Sequence, residues 1–177
     1  GNTAVIEFDR NGIKVYKDQS LPFPVLENDT YSTSLKKNKQ QQSCRFNTAI
    51  SMLDNYQHST HENAIDYSFQ ILNEVALDGA WSIVYDIKNM QIHYKTASKQ
   101  NIKKINFNYF NLSCIAPTLL YDLKRDQAGW VHEKFIPFTD SYNRKKFNAA
   151  VKSNAIKLPQ PILQQFYNYN LTCKCVE

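Results

Sequence analysis

The apolar residues of this chain change their spacing twice, and that restricts the fold more than any other feature. Val5-Ile6-Glu7-Phe8 and Ile13-Lys14-Val15-Tyr16 read as two strands with Asn11-Gly12 between them. That dipeptide favours the positive backbone angles of a tight hairpin. From Cys44 to about Gln57, Phe46, Ala49, Ile50 and Leu53 recur at helical spacing. A second helix carries Ile65, Phe69, Leu72 and Val75 on one stripe. Ser59-Thr60-His61-Glu62 fits a capping box at its start, and Gly79 stands where it would end. The period then returns to two: Trp81, Ile83, Tyr85 and Ile87 share one face, Ile92-His93-Tyr94-Lys95 follows a turn, and Ile105, Phe107 and Tyr109 alternate again. Strands, then helices, then strands in an antiparallel meander is the order of an α+β fold, not of a doubly wound sheet.

Between these blocks, Pro22-Phe23-Pro24 breaks regular structure, Tyr31 and Leu35 begin a short helix, and Lys36 to Gln42 reads as a polar loop. Further helices are expected near Tyr142 to Val151 and Ile162 to Tyr169. The 177 residues, 42% hydrophobic and 13% aromatic, suffice for the core of one domain or most of one. The charge of +5 is spread among acids, as on a solvated surface and not a nucleic-acid face. No apolar run is long enough for a membrane span. Cys44, Cys114, Cys173 and Cys175 lack zinc-site spacing. No pair among His58, His61, His93 and His132 has metal-ligand spacing on a helix face, so neither metal nor cofactor is expected. Cys44 and Cys114 invite a nucleophilic role, but cysteine is often simply buried.

Several stretches together resemble the choloylglycine hydrolase and penicillin V acylase family, especially its linear amide C–N hydrolase branch. Gly1-Asn2-Thr3-Ala4-Val5-Ile6-Glu7-Phe8 looks like that family's G-D-x-A-[VI]-[IV]-E strand, and Val25-Leu26-Glu27-Asn28-Asp29-Thr30-Tyr31 like its V-[LM]-T-N-x-T-Y segment. Ser43-Cys44-Arg45-Phe46 resembles its S-x-R-F helix start. Trp81-Ser82-Ile83-Val84-Tyr85-Asp86 matches its W-S-I-V-Y-D strand, and Lys134 to Thr139 resembles a later K-F-x-x-[YF]-T stretch. Glu27 replaces the usual Thr, and Asn2 the usual Asp. The resemblance covers residues 1–150, with 151–177 read as a helical tail of the same domain.

The resemblance implies the later portion of an αββα sandwich of the N-terminal nucleophile (Ntn) hydrolase type, with antiparallel sheets, acting on a small-molecule linear or acyl amide. Such an enzyme needs an N-terminal thiol or hydroxyl and donors aimed at the developing oxyanion. By resemblance Asn28 is the oxyanion-hole donor, since its uncharged amide donates without titrating. Read alone, it is a turn residue. Arg45 is by resemblance the active-site arginine that favours a thiolate. Read alone, it is a cation in a first helical turn, where the helix dipole disfavours it, which points to some other partner. Trp81 is a candidate substrate wall, although packing between layers is the commoner use of such a residue. The family's nucleophilic Cys stands at the mature N-terminus, and Gly1 offers no such side chain. The chain is therefore expected to begin mid-protein and to be inactive alone. It would complete itself with a fragment or subunit carrying the nucleophile, or by self-association. The alternative is a half-domain that binds a partner and catalyses nothing. Exported relatives point to a periplasmic or secreted location.

Overall fold

A computed structural model describes residues 3–10, 12–42, 44–56, 63–123, 125 and 127–172. The chain divides into two compact units, residues 1–100 and 101–177. The first unit begins with strands β1 (Ala4–Asp9) and β2 (Gly12–Lys17), paired antiparallel from Ala4↔Lys17 to Asp9↔Gly12. This is the expected hairpin. Gly12 has φ +120°, a conformation open to glycine and strained for other residues, and Asn11 lies outside the described residues.

Three helices follow. α1 (Tyr31–Lys39) is capped by Thr30, whose side chain accepts from Thr33 N. It runs into the stretch expected to be a polar loop. Lys36, Lys37 and Lys39 occupy its last turn, where cations complement the helix dipole. α2 (Cys44–Asp54) and α3 (Ala64–Glu74) are the two amphipathic helices read from the apolar spacing. The capping box expected at Ser59 to Glu62 lies outside the described residues. The cap of α3 is Asn63, which accepts from Ile65 N at 3.0 Å. α3 gives way at Val75, four residues before Gly79. The unit's core gathers Val5, Val25, Tyr31, Phe46 and Ala49. Tyr31 packs edge-on against Tyr16, with ring centroids 4.9 Å apart. Its hydroxyl donates to Phe23 O at 2.9 Å and accepts from Phe23 N at 3.2 Å, so the buried phenol keeps its hydrogen bonds. β3 (Ser82–Asp86) and β4 (Gln91–Thr96) then pair antiparallel, as expected. Lys95 Nζ lies over the Phe69 ring of α3.

β5 (Lys99–Asn106) leads into the second unit. There it pairs in parallel with the short β7 (Gly129–Trp130), through Lys103↔Gly129 and Lys104↔Trp130. Of the alternating residues expected to form this strand, only Ile105 lies in it: Phe107–Tyr109 form a 3-10 helix instead, and the parallel neighbour was not expected. β6 (Leu119–Leu120) and β8 (Ile136–Pro137) form a two-residue antiparallel ladder. Helices α4 (Asp140–Ser153) and α5 (Gln160–Thr172) fall where helices were expected. Phe147 stacks on Phe166 at 5.2 Å, and the Arg144 guanidinium sits 4.5 Å from the Tyr167 ring. The molecule is α+β, with antiparallel and parallel strand pairs. Among the described residues no helix is long and apolar enough to cross a membrane.

Candidate functional site

A groove of about 530 Å³ runs beside β1. Val5, Ile6, Glu7 and Phe8 line it from the strand, and residues 26–31 line it from the segment entering α1. That segment is tied down at both sides of Asn28. Glu27 accepts from Ser34 Oγ at 3.0 Å. Asp29 accepts from Thr30 N at 2.9 Å and pairs with Lys37 Nζ at 2.6 Å. The Lys37 ammonium and the Thr30 amide together hold the Asp29 carboxyl below its usual range. Asn28 stands between them, exposed, with no hydrogen bond to its amide among the described residues. A fixed backbone with an uncommitted amide on a groove is what a donor to an incoming ligand requires.

Glu7 was not singled out from the sequence as a site residue. Its carboxylate is buried and accepts from Ser32 N at 2.8 Å, Ser32 Oγ at 3.1 Å and the Tyr16 hydroxyl at 3.1 Å. Burial pushes this carboxyl up, but those bonds and one from the Tyr31 amide outweigh burial and hold it below its usual value. An anion at the N-terminus of α1 meets both the free amides and the positive end of the dipole. Glu7 thereby fixes the helix that carries the groove's second wall. The detectable signal was an acid alternating with apolar residues in a strand.

Arg45 is not among the groove's lining residues. Its Nε donates to Val75 O at 2.7 Å. Val75 closes α3, so the guanidinium rests at a helix C-terminus, the end that attracts cations. This supplies the partner that an arginine at the start of α2 lacked. Trp81 precedes β3 and is 61% exposed, as is Tyr85. The expectation that Trp81 packs between layers is corrected: Trp81 and Tyr85 are exposed, while Ile83 between them on the same face is half-buried. Trp81 does not line the groove. Cys114 is disulfide-bonded and exposed, which removes it as a nucleophile. His93 is buried on β4, and the His132 ring lies tilted against Tyr109 at 4.5 Å and Trp130 at 5.2 Å between centroids. His58 and His61 lie outside the described residues. Among the described residues no cluster of His, Cys, Asp or Glu could hold a metal.

In the second unit, Leu120 to Leu123 with Tyr142, Asn143 and Lys146 line a smaller hollow of about 330 Å³. Lys146 pairs with Asp122 there at 2.6 Å, which raises the lysine's affinity for its proton.

No protein-family model matches the sequence, and no curated protein matches it. Solved structures do match. A penicillin V acylase from Agrobacterium tumefaciens superposes with a TM-score of 0.65 at 16% identity, over 78% of this chain and 54% of the acylase chain. The present chain therefore spans about half the length of that structure, and what it demonstrably shares with a penicillin V acylase is the fold over that half.

Proposed function

We propose that this chain is the later part of an Ntn-type hydrolase of carbon–nitrogen bonds in linear or acyl amides, in which residues 1–150 belong to the catalytic domain and 151–177 form its helical tail. In this reading the nucleophile is an N-terminal Cys that lies outside residues 1–177. Asn28 donates to the oxyanion, Arg45 steadies the site from α2, and Trp81 flanks the substrate. The observation carrying this reading is the exposed, uncommitted amide of Asn28 on the groove beside β1, within a chain that shares an acylase fold. The Cys114 disulfide supports an exported location, because such bonds persist in oxidising compartments.

A second reading is an interaction module without catalysis. It is favoured by the engagement of Arg45 with Val75 O, away from the groove. It is favoured also by carboxylates on both sides of Asn28, which oppose a developing negative charge. Hydrolysis of a panel of acyl amides separates the two. The chain alone should show no turnover. Mixed with an upstream fragment beginning with Cys, it should hydrolyse at least one acyl amide. Asn28→Ala should then lower kcat by roughly 10² to 10³, the usual loss for one oxyanion donor. Turnover by the chain alone, abolished by Cys44→Ala, would overturn the Ntn reading. A reconstituted activity indifferent to Asn28→Ala would remove Asn28 from the mechanism.

A further inference from the structure

Asn-x-Ser/Thr triads begin at Asn28, Asn111 and Asn170. Such triads accept N-linked oligosaccharide in chains that pass through a secretory lumen. The structure separates the three. At Asn28-Asp29-Thr30 the Thr30 hydroxyl is committed to the start of α1, donating to Thr33 Oγ1 at 2.7 Å and accepting from Thr33 N at 3.3 Å. A glycan on Asn28 would also fill the groove beside β1. Asn170-Leu171-Thr172 ends α5, and positions two apart on a helix do not face each other.

Asn111-Leu112-Ser113 lies between the 3-10 helix Phe107–Tyr109 and β6, and all three residues are exposed. Asn111 Oδ1 accepts from Ser113 N at 3.0 Å, a turn that draws the two ends of the triad together. Among the described residues Asn111 Nδ2 has no hydrogen bond. Ser113 Oγ accepts from Ile115 N at 3.4 Å and keeps its own proton to donate. Cys114 follows directly and is disulfide-bonded, and such bonds form in the same kind of compartment. No charged residue occurs between Lys104 and Asp122, yet Tyr109, Leu112 and Ile115 are 55%, 70% and 93% exposed. An uncharged stretch with that much apolar surface gains polar cover from an attached sugar.

We propose that Asn111 is a glycosylation site, the acceptor for an oligosaccharide carried on a lipid pyrophosphate. Nδ2 bonds to C1 of the first sugar and gives up one proton. The bond from C1 to the pyrophosphate oxygen breaks, and the lipid pyrophosphate leaves with the electron pair. The linkage uses only Nδ2, so Oδ1 keeps the Ser113 amide and the turn survives attachment. Asn111 belongs to the second unit and does not line the groove, so the site is independent of any catalytic reading.

Expression of the protein behind a cleavable secretion leader in a eukaryotic cell line tests this. Treatment with peptide N-glycosidase in heavy-oxygen water turns a glycan-bearing Asn into a labelled Asp, which peptide mapping locates. Label is expected at position 111 and at neither 28 nor 170, and the intact mass should fall by one glycan. Asn111→Gln should abolish that fall. So should Ser113→Ala, which keeps the asparagine and removes the hydroxyl. Medium and cell lysate are both mapped, so a variant that folds poorly is still read. A chain with Cys114 oxidised and Asn111 unlabelled overturns the proposal. So does label at Asn28 or Asn170, or a mass fall that survives Ser113→Ala.

Discussion

Glu7 and Arg45 each anchor the start or end of a helix from a distant element, and each yields a separable prediction. Glu7 holds its proton more weakly in the folded chain than at its ordinary value of 4.5. A carboxyl depressed in this way contributes stability that is fully present above its unfolded pKa and lost as pH falls through the lower folded value. Glu7→Gln should therefore destabilise the protein by about 2 kcal/mol near neutral pH, the scale for hydrogen bonds to a charged group. It should also flatten the loss of stability below about pH 4.5, seen as a smaller slope of urea midpoint against pH. Equal slopes in wild type and variant would show that Glu7 is not the titrating group. For Arg45, the bond to Val75 O predicts that Arg45→Ala lowers stability by roughly 1 to 2 kcal/mol. If the guanidinium instead serves only a reacting thiol, stability will stay unchanged while the reconstituted activity falls.

Among the elements, helix starts were readable as a type of signal but not always at the right residue. Thr30, Asn63 and Thr139 each accept from a backbone amide in the first turn of α1, α3 and α4. Asn63→Ala should cost about 1 kcal/mol of unfolding free energy, the usual loss for a cap. A change within error, measured by urea unfolding, would place the cap elsewhere. Alternation identified β3 and β4 as strands but ran past the end of β5 into the 3-10 helix Phe107–Tyr109, because a period of two reports only that successive side chains point to opposite faces. It carries no information on the neighbour, so the parallel pairing of β5 with β7, a strand of two residues, was not legible. The extension of α1 through Lys39 escaped notice because no apolar residue marks it. Its support comes from charge against the dipole.

At the scale of the molecule, Phe46 is the most informative position. It is fully buried, and its ring centroid lies 6.3 Å from that of Phe23 and 6.4 Å from that of Tyr31. Phe46→Ala should cost roughly 3 to 5 kcal/mol through lost transfer energy and a residual cavity. Near-UV dichroism and denaturant midpoints would report a smaller effect if the site collapses. The Cys114 disulfide predicts that reductant lowers the thermal midpoint, by an amount corresponding to about 2 to 5 kcal/mol. An unchanged melt after reduction would mean that the bond staples nothing of consequence.

The residue spacing by itself determined the α+β class, the first hairpin, the two amphipathic helices, the β3–β4 pair and the two last helices. These depend on periodicity, which is local and written in consecutive residues. The motif around Asn28 was legible too, and tertiary structure adds that its exposed amide lies on a groove. What only tertiary structure decided is which distant groups meet. Glu7 and Ser32 are 25 positions apart, and Arg45 and Val75 are 30 apart. A buried carboxylate or a half-buried guanidinium takes whatever donor or acceptor the packing brings within 3 Å. Neither partner leaves a mark in the other's neighbourhood of sequence. For the same reason Trp81, Ile6 and Phe8, apolar and alternating like core residues, were found exposed. A period of two assigns them to one face of a strand, but only the arrangement of the other elements determines whether that face is covered.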